Sequence, residues 1–277
     1  MPGILYIVGT PIGNLGDISP RALKALEEVD FIACEDTRVS IKLLNHFGIK
    51  KPLISYHAHR EKERGQEILE KLLGGQSAAL ISDAGMPLIS DPGSVLVALC
   101  KEHHIEMQAI AGPSAFVLAL ALSGLPSERF RFEGFLPTQT KERRLRLTSL
   151  KDETCTMIFY EAPHKIKKTL ADFETYFGDR EISISRELTK RFEETIRCTI
   201  SDAISHFNVQ EPRGEFVLVL AGAFEKTSED VDINTVLLQL QKQLAAGVSR
   251  KSAIAEIAAQ TGLSKNLLYA ESLKFDF

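Results

Sequence analysis

The sequence predicts an α/β protein with two α/β domains and a small helical extension. Short runs of continuous apolar residues alternate with amphipathic stretches, which is typical of parallel strands covered by helices on both faces. The chain has 277 residues, about the length of two domains. Its last part, after about residue 232, changes to a purely helical pattern. We therefore predict a parallel-sheet domain over residues 1–122, a mixed-sheet domain over 123–224 and the extension over 232–277.

The first domain is predicted to begin with a buried strand and a glycine-rich loop. Ser19 is a favourable N-cap and Pro20 suits the first position of the helix that follows. Gly74 and Gly75 end a second helix. The predicted strands cover residues 4–8, 31–34, 53–56, 78–81 and 105–110, and further helices cover 61–73, 95–103 and 114–122.

The second domain repeats this style with a different connection. Only a short amphipathic stretch separates the strand at 195–199 from the one beginning at Phe216, which favours a mixed sheet. The other predicted elements are strands at 156–159 and 182–186 and a helix at 163–176. A polar linker at 225–232 precedes helices at 236–244, 253–259 and 267–273.

Composition excludes several classes of protein. Hydrophobic residues make up 44% and charged residues 25%, which is too apolar for a disordered chain. No apolar run approaches the roughly 18 residues of a membrane span, and the start of the chain has no basic leader, so a cytoplasmic location is expected. The net charge of −4 is unlike that of a dedicated nucleic-acid binder, so an RNA partner would need a local basic patch.

The sequence does not predict a metal site. The four cysteines lie 43 or more residues apart, and they fit buried apolar positions in a reducing compartment. His57 and His59 share one side of an extended segment, but no third ligand accompanies them.

Four loops rich in Gly, Pro and Asp follow the predicted strands of the first domain, at residues 9–17, 35–38, 82–93 and 111–115. Ligands of open parallel sheets bind beyond the carboxyl ends of the strands, so these loops predict a ligand cleft. The first loop has neither the G-x-G-x-x-G spacing nor a Gly-Lys-Ser/Thr sequence, which disfavours a phosphate-binding nucleotide site.

These loops belong to a longer series of motifs. In order along the chain, they are G-T-P-I-G-N-L-x-D-I, E-D-T-R, S-D-A-G-x-P-L-I-S-D-P-G, G-P-S-A, G-F-L-P, F-Y-E-x-P-H, R-E-L-T-K and R-G-E-F-V-L-V. The series resembles the small-subunit ribosomal RNA 2′-O-ribose methyltransferases, the RNA-directed branch of the tetrapyrrole methylase superfamily. It covers roughly residues 4–222, and the tail is similar to the helical extension of that branch.

The resemblance implies a class III methyltransferase fold with S-adenosyl-L-methionine in a cleft between two α/β domains. Backbone groups of the loops suit such a ligand, because no phosphate has to be neutralised. By analogy with the superfamily, the residues implied to contact the methyl donor are Pro11, Ile12, Gly13, Asp83, Ala84, Gly85, Met86, Ile89, Ser114, Ala115, Phe159 and Leu188, with Tyr160 and Glu161 as alternatives to Phe159.

The implied reaction is transfer of a methyl group to the ribose 2′-oxygen of a cytidine in 16S rRNA. A ribose hydroxyl is a poor nucleophile at neutral pH, so a base or a nearby cation assists it. The candidate catalytic residues are Glu35, Asp36, Arg38, Glu161, Arg186, Glu187 and Lys190. Asp36 or Thr37 also fits a simple helix cap, and the choice of general base stays open.

A basic segment at residues 129–151 is the predicted RNA patch. It carries seven basic and two acidic side chains, net +5, interleaved with three phenylalanines that suit either base stacking or the core. The candidate RNA-binding residues are Arg129, Arg131, Lys141, Arg143, Arg144, Arg146 and Lys165. Lys165 stands where the family commonly has arginine, so the bidentate fork is lost. The alternative is an ordinary solvated helix face.

Two other functions compete with rRNA methylation. A methyltransferase of the same superfamily acting on a tetrapyrrole precursor would share the fold and the methyl donor. A DNA-binding regulator is suggested by the helix-turn-helix pattern at 252–272, but residues 225–277 carry a net charge of −1, which is unfavourable for DNA. The resemblance also implies a homodimer that acts on small-subunit rRNA or the 30S particle.

Overall fold

A computed structural model describes residues 1–224, 233–261 and 263–273 of the chain. The chain divides into two compact units, Met1–Gly222 and Ala223–Phe277. The first unit contains two sheets with helices, and the second is helical, so the predicted α/β class with a helical extension is confirmed. The predicted boundary at 122/123 stays a prediction, and the predicted linker at 225–232 lies outside the described residues. No helix in the described ranges is long and apolar enough to cross a membrane.

The first sheet is wholly parallel, with the strand order β3-β2-β4-β1-β5. Its strands are β1 (Leu5–Val8), β2 (Phe31–Cys34), β3 (Leu53–Ser55), β4 (Ala78–Ile81) and β5 (Met107–Ile110). The helices between and after them are α1 (Pro20–Glu28), α2 (Thr37–His46), α3 (Glu61–Leu73), α4 (Ser94–Glu102) and α5 (Ala115–Ser123). The chain order places the loops after β1, β2, β4 and β5 at one edge of the sheet.

Alternate residues of the central strands enter two different cores, because successive side chains of a strand point to opposite faces. Phe31 and Leu80 pack with α3 and α4, whereas Ile32 and Ile81 pack with α1 and α2. Burial on both faces explains why these strands are continuous apolar runs.

The second sheet is mixed, with the strand order β6-β7-β10-β8-β9, in which β6 and β7 are parallel and the other pairs antiparallel. Its strands are β6 (Phe130–Phe135), β7 (Thr156–Glu161), β8 (Glu181–Arg186), β9 (Glu194–Thr199) and β10 (Phe216–Leu220). Its helices are α6 (Thr140–Ser149), α7 (Ile166–Phe177) and α8 (Ile200–Val209). Four of the observed elements, α2, β6, α6 and α8, were not predicted from the sequence.

The helical unit consists of α9 (Ile233–Ala245), α10 (Arg250–Thr261) and α11 (Lys265–Ser272) around one apolar cluster. Ser264 caps α11 by accepting a hydrogen bond from the Leu267 amide. The three predicted helices are therefore confirmed with longer bounds.

A buried hydrogen-bond chain joins α3 to the loop that follows β4. The fully buried Tyr56 hydroxyl accepts a hydrogen bond from the Leu96 amide at 3.1 Å and donates to Glu61 Oε1 at 3.3 Å. The same Glu61 oxygen accepts from the Gly93 amide at 2.7 Å. The chain fixes the end of that loop at the first turn of α4.

Replacement of Tyr56 by phenylalanine is expected to lower the free energy of unfolding by about 1–3 kcal/mol, because the Leu96 amide loses its buried partner. Urea denaturation followed by circular dichroism measures the change. Tyr176→Phe is the matched control: no hydrogen bond to that hydroxyl appears in the described part of the chain, and the expected change is within about 0.5 kcal/mol. Equal stability of the two variants would contradict the structural role of the Tyr56 hydroxyl.

Candidate active site

A cavity of about 340 Å³ lies where the loops of the first sheet meet the ends of strands from the second. Its volume is in the range of small-molecule sites, about 300–1,000 Å³. Of the predicted donor-contact residues, those that line it are Ile12, Asp83, Ala84, Gly85, Met86, Ile89, Ser114, Ala115 and Leu188. Of the predicted catalytic residues, Glu161, Glu187 and Lys190 line it. The structure thus brings together residues that lie up to 178 positions apart in the numbering, from Ile12 to Lys190.

The loop after β1 is fixed by close backbone contacts. Thr10 and Gly85 form an antiparallel bridge with N–O distances of 2.9 and 3.0 Å. A Cβ on Gly9 would lie 2.7 Å from the Gly112 Cα, so the loops after β1 and β5 require glycine at this crossing. These contacts place the backbones of three loops along one wall.

Two predicted donor-contact residues of this loop do not line the cavity. Pro11 is buried. Gly13 packs instead on the loop after β8: a Cβ there would lie 2.3 Å from the Lys190 Cγ and 3.3 Å from the Leu188 carbonyl oxygen. Gly13 therefore positions Lys190 from the side of the first sheet.

Backbone strain is concentrated around the cavity. In the described ranges, five non-glycine residues have positive φ, and four of them belong to the loops after β4 and β8: Leu88, Ser90, Glu187 and Thr189. Such conformations cost of order 1–3 kcal/mol each and persist where surrounding contacts impose them. Both loops are thus held in specific shapes by the rest of the fold.

The E-D-T-R segment lies beside the cavity and does not line it. Asp36 caps α2, with its carboxylate accepting from the Arg38 amide at 2.8 Å and from the Arg38 guanidinium at 2.6 Å. The Asp36 amide in turn donates to Asp83 Oδ1 at 3.1 Å. Asp36 therefore acts on the cavity through Asp83, and Glu35 lies near enough to Asp91 and Asp83 to interact with their charges.

Acidic side chains crowd this edge and perturb one another. Burial, followed by the charges of Asp91 and Asp83, raises the pKa of Glu35. Burial also raises the pKa of Asp83 and of Asp91. By contrast, the Arg38 side-chain hydrogen bond lowers the pKa of Asp36 to about 2. This edge of the cavity therefore concentrates carboxylates that interact with one another.

Glu161 belongs to a buried polar network. Its two oxygens accept hydrogen bonds from the Ala162 amide, at 2.9 Å, and from the Thr169 hydroxyl. The Thr169 hydroxyl accepts from Arg143, whose guanidinium also pairs with Asp172 at 2.7 Å. Arg143 is only 6% exposed, so its predicted role in RNA binding is wrong. A buried arginine requires such partners. Through Thr169, Arg143 helps to hold the Glu161 carboxylate in place.

Phe159 was predicted to contact the methyl donor, and the structure places it elsewhere. Its side chain is fully buried in the core of the second sheet, against Phe173 of α7. Its neighbour Tyr160 points to the opposite face of β7 and lines the cavity. Tyr160 is therefore the residue of the F-Y-E motif that contacts the cavity through its ring, and burial raises its pKa.

Lys190 is the one basic side chain among the residues that line the cavity. Its Nζ donates to Glu187 Oε1 at 3.0 Å and to Glu215 Oε2 at 3.2 Å. Burial opposes the charged form, but the two carboxylates outweigh it and raise the pKa of Lys190. Arg186 does not line the cavity, since it pairs with Glu194 on the neighbouring strand at 2.7 Å.

The other predicted RNA-binding residues lie outside the cavity. Arg131 and Arg146 both pair with Glu133, whose side chain is only 1% exposed. Lys141 and Arg144 are exposed on α6, Arg129 is exposed just before β6, and Lys165 is half-buried before α7.

The residues present fit S-adenosyl-L-methionine. The cavity is lined by five carboxylates and one lysine, which suits a ligand with a cationic sulfonium and an ammonium group. Ser114, the N-cap of α5, makes no side-chain capping bond, and the Phe116 amide is hydrogen-bonded to the Tyr160 hydroxyl, which leaves the Ala115 amide of the first turn available to a carboxylate. Among the described residues, no group of three or more His, Cys, Asp or Glu is arranged to hold a metal ion.

Sequence reasoning missed several residues of the cavity wall. Asp91 lay within a loop that was identified but was not singled out. Phe135 was considered only as a stacking or core residue, and Glu215, Phe216 and Val217, just before and at the start of β10, were not singled out. The R-G-E-F-V-L-V motif, which contains all three, was the available signal.

Comparison with known proteins gives a consistent result. Residues 4–204 match the family model of the tetrapyrrole (corrin/porphyrin) methylases. The chain is 47% identical, over 99% of both chains, to ribosomal RNA small subunit methyltransferase I of a Synechocystis species. It is 46% identical to the Pseudomonas aeruginosa protein of the same name over 98% of this chain and 97% of that one.

Solved structures with the same fold are more distant in sequence. A uroporphyrin-III C-methyltransferase from Thermus thermophilus has a TM-score of 0.56 at 16% identity, over 79% of this chain and 94% of that chain. A diphthine synthase has a TM-score of 0.58 at 15% identity, over 79% and 90%. At these identities the likeness shows the fold alone.

Proposed function

The chain belongs to the tetrapyrrole (corrin/porphyrin) methylase family and, within it, to the ribosomal RNA small subunit methyltransferases I, and on that premise we propose that it methylates small-subunit rRNA. The specific reaction is transfer of a methyl group from S-adenosyl-L-methionine to the ribose 2′-oxygen of a cytidine. Similarity over nearly the whole chain to relatives with that name carries the proposal. The tetrapyrrole alternative has only distant structural neighbours in its favour.

The methyl donor is proposed to occupy the cavity between the two sheets. Bound there, it would supply a methyl group attached to a positively charged sulfur, and the neutral thioether is a good leaving group when the methyl group is transferred. Asp83 and Asp91 are acceptors for hydroxyl or ammonium groups, and the α5 amides at Ser114 and Ala115 are donors for a carboxylate. Met86 and Ile89 supply apolar surface on the same wall.

Lys190 is the proposed electrostatic catalyst. Its ammonium group is held at the cavity by Glu187 and Glu215, and its raised pKa keeps it charged. A cation in this position stabilises the negative charge that develops on the ribose oxygen as its proton leaves. Of the predicted catalytic carboxylates, Glu161 and Glu187 line the cavity and are the candidates to accept that proton, and Glu161 already has both oxygens engaged. Glu187 is therefore the stronger candidate for the base.

The remaining predicted catalytic residues have positioning roles in this proposal. Asp36, held by Arg38, orients Asp83 through its backbone amide. Arg186 pairs with Glu194 and thereby fixes the start of the loop that carries Lys190. The proposal includes small-subunit rRNA or the 30S particle as substrate, a cytoplasmic location and a homodimer.

The decisive experiment uses radiolabelled S-adenosyl-L-methionine and 30S particles from a strain that lacks the gene. The particles are incubated with the purified full-length protein, and the rRNA is digested to nucleosides. We expect the label in 2′-O-methylcytidine. Label on a base would overturn the ribose assignment. Binding of the donor without any labelling of RNA would overturn the RNA acceptor and make tetrapyrrole precursors the next substrates to test.

Affinity for the methyl donor is expected to fall as pH is lowered from 7.5 to 5. The raised pKa values of Asp83 and Asp91 mean that these carboxylates take up protons above the ordinary range near pH 4, which removes charge that attracts the sulfonium. Isothermal titration calorimetry at several pH values measures the effect. Asp36, with a pKa of about 2, stays ionised throughout and does not contribute.

The same groups change the stability of the free protein in the opposite direction. Because their folded-state pKa is raised, the folded state binds more protons, so their contribution to the free energy of unfolding decreases as pH rises through the folded-state pKa.

The control ligand for the binding experiment is S-adenosyl-L-homocysteine, which lacks the sulfonium charge, and its affinity should depend less on pH. Donor affinity that is constant or increases on acidification would contradict the acidic-site interpretation.

A further inference from the structure

A groove of about 570 Å³ lies between β6 and α6, and Phe135 lines both this groove and the donor cavity. We propose that the groove binds the acceptor ribonucleotide and that the ring of Phe135 stacks on its nucleobase. The inference rests on the proposed function and assigns the subsite that the acceptor occupies beside the methyl donor. The groove and the donor cavity meet at Phe135, which lines both.

The backbone of β6 is shaped to present Phe135. The register of β6 against β7 shifts between Phe132 and Gly134, and Gly134 has φ +63°. This bulge places Phe132 opposite Ile158 and Phe135 opposite Tyr160 although the two phenylalanines are three residues apart. Without the extra residue, strand alternation would direct one of them to the other face. The bulge therefore directs the Phe135 ring to the cavity, where the Tyr160 ring also lies.

The ring of Phe135 is supported at one side and free elsewhere. It packs edge-on against Tyr160, with ring centroids 5.5 Å apart, and Tyr160 is itself edge-on to Phe132 at 5.1 Å. Phe135 nevertheless stays 58% exposed. A fixed, exposed aromatic ring is a stacking platform, because every nucleobase has an apolar π-face.

Charges around the groove match a nucleic acid whose base reaches Phe135. The cavity carries five carboxylates and repels phosphate, so the sugar–phosphate chain must run on the groove side. Lys141 and Arg144 do not line the groove, but they are exposed on α6, the helix that forms one of its walls, and take part in no ion pair found in the described part of the chain. Two acidic side chains line the groove: Glu133, which is paired with Arg131 and Arg146, and Glu142, which is exposed on α6.

The test compares three variants in the 30S labelling reaction: Phe135→Leu, Phe135→Trp and the control Phe224→Leu. Phe224 is 94% exposed and lines neither the cavity nor the groove. Loss of one stacked base corresponds to a change of about 5- to 150-fold, so we expect Phe135→Leu to lower kcat/KM for the particle by 10-fold or more, mainly through KM. Phe135→Trp keeps a stacking surface and should stay within about 3-fold of the wild type.

Calorimetric titration with S-adenosyl-L-methionine separates the two subsites. Donor affinity of Phe135→Leu within about 2-fold of the wild type, together with the loss of RNA methylation, supports the acceptor subsite. The inference is overturned if Phe135→Leu methylates the particle as the wild type does, if the tryptophan variant is equally impaired, or if lost donor affinity accounts for the whole loss. A wild-type protein that labels no RNA would instead overturn the proposed function, and the subsite with it.

Discussion

Replacement of Gly9 by alanine is expected to lower the free energy of unfolding by about 3 kcal/mol and to abolish most methyl-donor binding. The new Cβ would lie 2.7 Å from the Cα and 3.0 Å from the amide nitrogen of Gly112, and 2.6 Å from the Met86 Sδ. Met86 is flexible, but the Gly112 backbone at the end of β5 is not. Overpacking of this kind typically costs 1–3 kcal/mol, and here the relief must come from moving a strand end.

The effect on binding follows from the same geometry. Separating the loops after β1 and β5 displaces the wall of the cavity and with it the backbone groups proposed to contact the donor. Misplacement by about 1 Å also costs on the order of 100-fold in the rate of reaction. Thermal or urea unfolding measures stability, and calorimetry measures donor affinity. Gly16→Ala is the control in the same loop, since its Cβ meets only the Asn14 side chain, at 3.2 Å. Equal behaviour of Gly9→Ala and Gly16→Ala would contradict the close-approach argument.

Most strands of the first sheet were predictable because burial on both faces makes each one a continuous apolar run. Phe31–Cys34 and Ala78–Ile81 match the predicted bounds, whereas β5 begins at Met107, two residues later than predicted. The four loops could be placed at one edge because parallel strands share a direction. The fold class and the existence of a cleft therefore follow from periodicity and loop composition alone.

β6 and α6 were not predicted because the segment that contains them was interpreted by its charge and not by its periodicity. Residues 130–135 alternate aromatic and charged side chains, a strand pattern, but they were interpreted as part of a basic patch. Arg143 was assigned to that patch because it is basic. Its burial could not be foreseen, because its partners Thr169 and Asp172 lie 26 and 29 residues further along the chain. No local pattern contains this information.

The choice between Phe159 and Tyr160 had a similar limit. Both belong to an apolar strand of which every residue except Tyr160 is buried, so polarity does not identify the face that meets the ligand. Only the position of α7 against one face and of the cavity against the other decides it. The sequence could narrow the contact to three consecutive residues, and the structure excludes Phe159 and places Tyr160 and Glu161 at the cavity.

Replacement of Lys190 by methionine is expected to lower kcat for rRNA methylation about 100-fold while donor affinity changes little. Methionine keeps an apolar stem of similar length. The stem matters because it packs closely on Gly13: a Cβ built on Gly13 would lie 2.3 Å from the Lys190 Cγ. The substitution thus removes the cation and preserves the contact between the two loops. Loss of one preorganised electrostatic group typically costs 100- to 1,000-fold in kcat.

The variant also changes the titration of its neighbour. Burial raises the pKa of Glu187, but hydrogen bonds from Lys190 and from the Glu215 amide outweigh it and hold that pKa below its usual value. Without Lys190 the pKa of Glu187 rises, so a carboxylate base would lose activity at a higher pH than in the wild type. Single-turnover labelling of 30S particles from pH 5 to 8 measures both the rate and this shift of the acid limb.

Two controls separate the charge from the fold. Lys24→Met removes an exposed lysine of α1 that pairs with Glu28 and should leave the rate within about 2-fold of the wild type. Lys190→Arg keeps a cation but places it in a larger planar group, so activity intermediate between the wild type and Lys190→Met is expected. A methionine variant with an unchanged rate and acid limb would show that Lys190 serves only to hold Glu187 and Glu215 together, and the stabilisation of the ribose oxygen would then have to come from another group.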